Sequence, residues 1–211
     1  MDPTLSKKST VEKWQRAAVL LHKLNAIQFG EFVLASGKTS PYYVDLRLAP
    51  SYPDLFNKLA NLCVDLIKRE IDRPIYKFAG VPHAGLSLAT LVSFKLKSPL
   101  IFVRKEKKTH GRMKMVEGLL ERGDRVVLID DLATTGGSIL DAANAIRAEG
   151  GVVEDAVVIL DREEGAKKML EANNVHLHAC MGIGAVVKYL RDANLLDEKQ
   201  YSLVTKHLEQ A

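Results

Sequence analysis

The sequence has too few cysteines for several protein classes. Cys63 and Cys180 are the only two in 211 residues, which excludes a disulfide framework and a four-cysteine zinc site. Both are flanked by apolar residues and are expected as buried thiols. No apolar run approaches the ~18 residues a membrane-spanning helix needs, so no membrane partner is expected. The opening MDPTLSKKST carries no apolar core of a secretory signal, and a cytoplasmic protein is expected. There is no internal repeat and no low-complexity linker. No GxGxxG fingerprint occurs either, which argues against a dinucleotide site. The segment ASGKTSP (35–41) looks like a nucleotide-binding loop, but a P-loop needs a glycine five residues before Gly37, where Phe32 stands. Pro41 and YYVDLR then lead into a strand rather than a helix.

The chain is 47% apolar and 27% charged, with a net charge of +4 and a sequence pI of about 9.0. That balance suits an anionic substrate as well as a nucleic acid, so charge placement has to decide. Ser9 and Glu12 have the spacing of a capping box, with a helix expected after them and Val11, Trp14, Ala18, Leu21 and Leu24 near one face. Residues 30 to 48 read as one or two short strands. Ser51 and Asp54, with Pro53 between them, mark the start of a helix to about Glu70. Strand-like runs at 76–80, 100–104, 125–129, 153–160 and 175–181 then alternate with helix-like runs, including 84–95 and 138–148. A last amphipathic helix is expected within 195–211. Continuous Val/Ile/Leu strands separated by helices predict an α/β fold with a mainly parallel central sheet covered on both faces. One domain over 1–211 is expected, with a small hood formed largely by about 1–50 over the sheet's carboxyl end, where open α/β sheets bind ligands.

The most informative stretch is VVLIDDLATTGGSIL, 126–140. A buried strand runs into Asp130 and Asp131, and then through Leu132 and Ala133 to Thr134, Thr135, Gly136, Gly137 and Ser138. The last five offer backbone N–H groups and hydroxyls at a helix N-terminus, a seat for a phosphate monoester. Carboxylates accept hydrogen bonds from a vicinal diol and raise the local affinity for Mg²⁺. A ligand with a phosphate at one end and a diol beside it is a sugar phosphate. The plainer alternative is that Asp130 caps a turn and Asp131 is solvated.

A second candidate is RKEKKTHGRMK (104–114), in which six of eleven residues are Lys or Arg. It reads as a solvated loop, a nucleic-acid patch or a lid over a polyanion. No aromatics interleave it for base stacking, so nucleic acid is not the expected partner. Cations around a leaving pyrophosphate would stabilise the charge that develops there. His176 and His178 share a strand face but lack an evident third metal ligand. His22 and His207 fall in expected helices.

Together these segments resemble the type I phosphoribosyltransferases, and within them the orotate phosphoribosyltransferases. VVLIDDLATTGGS is similar to the binding motif for phosphoribosyl pyrophosphate. SGKTSPYYVDLR (36–47) resembles the orotate-side segment, VRKEKKTHG (103–111) the catalytic lid, and ILDREEG (159–165) the Asp-Arg segment. The resemblance implies a type I phosphoribosyltransferase fold and transfer of a phosphoribosyl group to orotate. It implies Asp130 and Asp131 on the ribose hydroxyls and Thr134 to Ser138 on the 5-phosphate, with Leu132 and Ala133 also among the residues that bind phosphoribosyl pyrophosphate. Arg104, Lys105, Lys108 and His110 would meet the pyrophosphate, with Lys108 and His110 reaching a neighbouring subunit's site in a homodimer. Lys108, His110, Asp130 and Asp131 are thereby the catalytic candidates. Tyr43, Val44, Thr134 and Arg162 would contact orotate, Arg162 by pairing its carboxylate. Mg²⁺ would be held mainly by substrate oxygens, with no side-chain ligand assigned. Two family lysines are replaced by Ala35 and Ala84, which leaves Lys38, His83 and Ala84 as further candidates. A purine phosphoribosyltransferase and a nucleic-acid-binding regulator on the same fold are the alternatives.

Overall fold

The structure, a computed structural model, describes residues 3–33, 37, 39–104 and 115–210, and side chains from Glu12 onward. Helix α1 spans Pro3–Lys23. Strands β1 (Ile27–Val33) and β2 (Thr39–Val44) form an antiparallel pair with a register shift between Phe29 and Phe32. A 3-10 turn over Leu46–Ser51 leads into α2 (Pro53–Glu70). Then follow β3 (Lys77–Gly80), α3 (Ala84–Leu96), β4 (Leu100–Val103), β5 (Val116–Glu117) and β6 (Arg125–Ala133). The chain continues through α4 (Gly137–Ala148), β7 (Val152–Asp161), α5 (Ala166–Glu171), β8 (His176–Gly182), α6 (Ile183–Asp192) and α7 (Glu198–Leu208).

The larger sheet has the order β5-β4-β3-β6-β7-β8, and every pairing is parallel except β4 with the short edge strand β5. This matches the mainly parallel sheet expected from the unbroken apolar strands. Successive residues alternate between two buried clusters, as the two-residue period of a strand requires. Phe78, Val127, Ile129, Val157 and Ile159 face the helical layer of α1, α2, α3 and α6. Ala79, Val126, Leu128, Ala156 and Val158 face α4 and α5. Both faces are buried, so the sheet fixes the positions of its carboxyl-end turns.

Several local expectations need correction. α1 begins at Pro3, so Ser9 lies inside the helix and does not cap it. Tyr52, not Ser51, takes the N-cap of α2, without a side-chain hydrogen bond. Ser51 is used in the preceding 3-10 turn, and Pro53 starts the helix because the missing N–H costs nothing there. β6 extends four residues past Ile129, since its ladder with β7 continues to the pair Ala133 and Asp161. β5, α5 and α6 were not expected. α1 packs along the body: Lys13 pairs with Asp65 of α2 at 2.7 Å, and Trp14 meets Tyr189 of α6 edge-on at 5.9 Å. The β1–β2 hairpin is joined to α1 and the turn by Asp45 N–H to the Ala26 carbonyl at 2.8 Å. Among the described residues, no helix is long and apolar enough to cross a membrane.

Candidate functional site

Four chain segments converge at the carboxyl ends of the central strands. β6 delivers Asp130 and Asp131, successive residues near its carboxyl end and so on opposite faces of the strand. Asp130 is buried, and its Oδ1 accepts the Asp131 N–H at 2.9 Å. It also accepts the N–H of Gly85, in the first turn of α3, so a helix N-terminus faces this carboxylate. Gly85 has to be glycine: a Cβ there would collide with the Ile129 carbonyl and lie 2.9 Å from the Asp130 Cα. Burial, and then the neighbouring Asp131 charge, push the Asp130 carboxyl well above the ordinary range. Burial also raises Asp131, despite hydrogen bonds and the Arg47 charge acting the other way. Two carboxyls that bind protons tightly, side by side at the end of a strand, are a functional-site signature.

Asp131 opens onto a small cavity of about 110 Å³ lined also by Arg47, Ala84 and Ser87. Arg47 is exposed and held by Asp45 through Nε at 2.6 Å and Nη2 at 2.8 Å. That fork lowers the Asp45 carboxyl and brings a cation beside Asp131. A wider depression of about 460 Å³ at the ends of β3 and β4 is lined by Gly80, Pro82, His83, Leu86, Phe102, Val103 and Arg104. Arg104 Nη1 lies 3.0 Å from Glu117 Oε1, and its N–H donates to the Met115 carbonyl at 2.8 Å.

Leu132 and Ala133 are the last residues of β6, and Thr134 and Thr135 lead to Gly136, the N-cap of α4. Gly136 has φ +84°, and a Cβ on it would sit 2.8 Å from Met169 Cε, so no other residue fits without strain. No side chain caps α4, and Gly137 and Ser138 are exposed. The first N–H groups of this helix are therefore open to an anion. The Arg162 N–H donates to the Ala133 carbonyl at 2.9 Å, which seats the turn after β7 beside this loop.

In that turn Arg162 is buried. Its Nε donates to Glu164 Oε1 at 3.0 Å and to the Tyr42 hydroxyl at 3.2 Å, and its guanidinium carbon lies 4.7 Å from the Tyr42 ring centre. The Tyr42 hydroxyl donates to Glu164 Oε1 at 2.7 Å. Burial and that carboxylate raise the phenol above its ordinary value. Glu163, from the same turn, instead accepts the Gly184 N–H at 3.1 Å.

The structure thus brings together Asp130, Asp131, Leu132, Ala133, Thr134, Thr135, Gly136, Gly137, Ser138 and Arg162, and places His83, Ala84 and Arg104 at the flank. Tyr43 and Val44 point to opposite faces of β2: Val44 is in the core, whereas Tyr43 stacks with Phe32 at 5.6 Å. Lys38, Lys105, Lys108 and His110, like the replaced position Ala35, lie outside the described residues. His178 is held by two carboxylates at the opposite end of the sheet, through Nδ1 to Glu70 at 3.0 Å and Nε2 to Asp155 at 2.9 Å. Among the described residues no group of three or more His, Cys, Asp or Glu could hold a metal. Sequence reasoning missed Tyr42, Arg47, Gly85 and Glu164. For Tyr42 a signal existed: alternation along β2 puts it on the same face as buried Val44.

The family model described as "Phosphoribosyl transferase domain" matches residues 52–176. The orotate phosphoribosyltransferase of Staphylothermus marinus is 40% identical over 190 residues, covering 89% of this chain and 91% of that protein. The crystal structure of orotate phosphoribosyltransferase from Aeropyrum pernix superposes with a TM-score of 0.72 at 31% identity, over 83% of this chain and 99% of that one. The UMP synthase structure from Leishmania donovani superposes with a TM-score of 0.84 at 32% identity, over 93% of this chain, which spans only 42% of that one.

Proposed function

The chain belongs to the phosphoribosyltransferase family, among the orotate phosphoribosyltransferases, and from that premise we propose that it makes orotidine 5-phosphate and pyrophosphate from orotate and phosphoribosyl pyrophosphate, a pentosyl transfer in pyrimidine biosynthesis. One observation carries the reading. Two carboxyls raised above their ordinary range at the end of β6, Asp130 buried and Asp131 half-buried, lead within a few residues to the uncapped N-terminus of α4, and a buried arginine stands in the adjoining turn.

Each residue's part follows from its surroundings. Asp131, partly exposed, accepts the ribose hydroxyls, and Asp130 behind it orients that edge of the pocket. The N–H groups and hydroxyls from Thr134 to Ser138 receive the 5-phosphate at the dipole of α4, with Leu132 and Ala133 setting the loop. Arg104 and His83 line the wide depression where the pyrophosphate lies, and Lys105, Lys108 and His110 join them by resemblance. Arg162 receives the orotate carboxylate, and Thr134 borders the base. In the reaction the ribosyl C–O bond to pyrophosphate breaks and a C–N bond to orotate forms. Positive charge grows on the sugar and negative charge on the leaving group, and the cations take up the latter.

The donor set fits Mg²⁺ only in part. Asp131 offers hard oxygen ligands, but the described residues supply no cage, so the ion would be held mainly by substrate oxygens with Asp131 beside it. When bound, it would supply charge neutralisation on the pyrophosphate. We also propose one domain over 1–211, a cytoplasmic location and a homodimer with shared sites. Phe94 of α3 is 81% exposed and Phe102 of β4 is 39% exposed, which supports a second copy covering this side.

The test is the absorbance loss of orotate with phosphoribosyl pyrophosphate and Mg²⁺, repeated with purine bases. Consumption of orotate alone is expected. Turnover of a purine with orotate untouched would transfer the reading to the purine enzymes.

A further inference from the structure

We propose that Tyr42 and Glu164 are positioning residues that hold the Arg162 guanidinium with its free edge toward a substrate carboxylate. This rests on the reading above that Arg162 receives that carboxylate. Neither residue is needed to explain the sugar-phosphate end of the site.

The geometry centres on one oxygen. Glu164 Oε1 accepts the Tyr42 hydroxyl at 2.7 Å and Arg162 Nε at 3.0 Å. Arg162 Nη2 is 2.8 Å from the same oxygen. Nη2 is buried and, although ion-paired with that oxygen, makes no hydrogen bond among the described residues. Buried donors are nearly always satisfied, and one kept open beside a site implies a ligand that takes it. The clamp therefore occupies the Nε side of the fork and leaves donor capacity on the terminal nitrogens. Bidentate carboxylate recognition uses that capacity.

The clamp also fixes where the fork lies. The Tyr42 ring is fully buried and stands 4.7 Å from the guanidinium carbon, which blocks one face. Tyr42 comes from β2, 120 residues before Arg162 in the chain. From the C-terminal side, the His207 ring of α7 meets Tyr42 edge-on at 6.0 Å, and its Nε2 lies 3.9 Å from Glu164 Oε1. Three distant segments thus lock a flexible side chain with a three-methylene stem into a single orientation. A guanidinium left free would lose rotamer entropy on every binding event, whereas a clamped one has already lost it.

The charges agree with this arrangement. Glu164 balances Arg162 in the empty site and makes its burial tolerable. It does so from one side only, through a single oxygen that Tyr42 shares. The phenol draws charge from that oxygen, which weakens its hold on Nη2 and leaves that nitrogen available to a stronger, two-oxygen partner.

The test uses the full-length chain and four variants: Arg162→Lys, Tyr42→Phe, Glu164→Ala and Glu164→Gln. KM is measured separately for orotate and for phosphoribosyl pyrophosphate. Preference for orotate over uracil, which lacks the carboxylate, is measured as a ratio of kcat/KM. Tyr42→Phe and Glu164→Ala should raise the orotate KM about tenfold or more and lower the orotate-to-uracil preference by a similar factor, the scale of a mispaired polar recognition group. The KM for phosphoribosyl pyrophosphate should stay within about twofold, because that tenfold recognition change sits at the other end of the site. Glu164→Gln, which keeps the acceptor oxygen, should recover most of the preference. If Arg162→Lys depresses the preference while Tyr42→Phe and Glu164→Ala leave it intact, the clamp is refuted and the arginine's role stands. If Arg162→Lys itself leaves the preference unchanged, the carboxylate reading fails and the clamp with it. Equal loss in both KM values and both bases, with a lowered Tm, would reduce Tyr42 and Glu164 to fold stability and refute positioning.

Discussion

The two ends of the parallel sheet treat several of their carboxylates in opposite ways, although Glu164 and Asp45 at the carboxyl end are paired with Arg162 and Arg47. At the carboxyl end Asp130, Asp131, Asp161 and Glu163 all hold their protons above the ordinary range, and burial is the first cause in each case. At the amino end Glu70, Asp124 and Asp155 lie below it. For Glu70 and Asp155 burial alone would raise the value, and hydrogen bonds from His178 and nearby arginines overcome it. For Asp124 the leading cause is the Glu121 N–H, with Lys77 adding to it. There, Arg73 and Arg125 share Glu154 at 3.0 and 2.9 Å, and Lys77 meets Asp124 at 3.1 Å. The same fold thus pairs these carboxylates at one end and leaves several buried ones under-compensated at the other, the pattern of a functional-site candidate.

The comparison breaks most visibly in activity. Asp131→Asn removes an ionisable acceptor from the open end, and kcat/KM should fall about 10²-fold or more, the usual scale for one transition-state contact. Asp155→Asn at the paired end should leave kcat/KM within about threefold, far short of that scale. Similar losses from both substitutions would mean that the two ends do not differ in function.

Stability should move in opposite directions. Asp155 is nearly buried between His178 Nε2 at 2.9 Å and Arg73 Nε at 3.6 Å. Asp155→Ala strands those cations and should cost about 3 kcal/mol, or roughly 6–12 °C in Tm for a chain of this size. Asp130 is the reverse case. Its folded-state value lies above the unfolded one, so ionising it on raising the pH takes stability away. Asp130→Asn keeps an acceptor for the Asp131 and Gly85 N–H groups and removes that cost. Tm at neutral pH should rise, by less than Asp155→Ala lowers it, while activity is lost. A calorimetric scan showing Asp130→Asn destabilised would contradict the claim that this carboxyl is held against its own preference.

The sequence disclosed the open end better than the paired one. Apolar runs at 125–129 and 153–160 identified parallel strands, because full burial on both faces needs uninterrupted Val, Ile and Leu. Asp130 and Asp131 were singled out as lying after the strand, but they lie on the strand itself: aspartate has poor strand propensity, and only the long ladder to β7 keeps it there. The Glu70–His178–Asp155 network was not legible, since its members are 70, 155 and 178 and meet only through the packing of α2 against β7 and β8. Arg162 was read from its motif, and alternation along β2 could have pointed to Tyr42, whereas its meeting with Glu164 needed the fold because the two are 122 residues apart. α6 was overlooked although Ile183, Val186, Val187 and Leu190 have helical spacing. Glycines at 182 and 184 obscured its start.

The smallest expected effect is also the most diagnostic of the paired end. His178 binds its proton more tightly in the fold than in the unfolded chain, first through Asp155 and then through Glu70. The stability this adds is fully present below the unfolded imidazole value of about 6.5. It is lost as the pH rises through the higher folded value. Asp155 works in the other sense: its lowered carboxyl stabilises above its unfolded value and fails as the pH drops through the folded one. Between those limits the pair should give a plateau on the mildly acidic side of neutrality. His178→Gln keeps some hydrogen-bonding capacity but cannot titrate, so its urea midpoint should decline less than that of the parent as the pH is raised from 6 to 8. The difference should be smaller than the Asp155→Ala effect, since no buried charge is left wholly alone. Parallel declines in the two proteins would show that the imidazole is neutral in the fold, and the charge pairing assigned to this end would then rest on Arg73, Arg125 and Lys77.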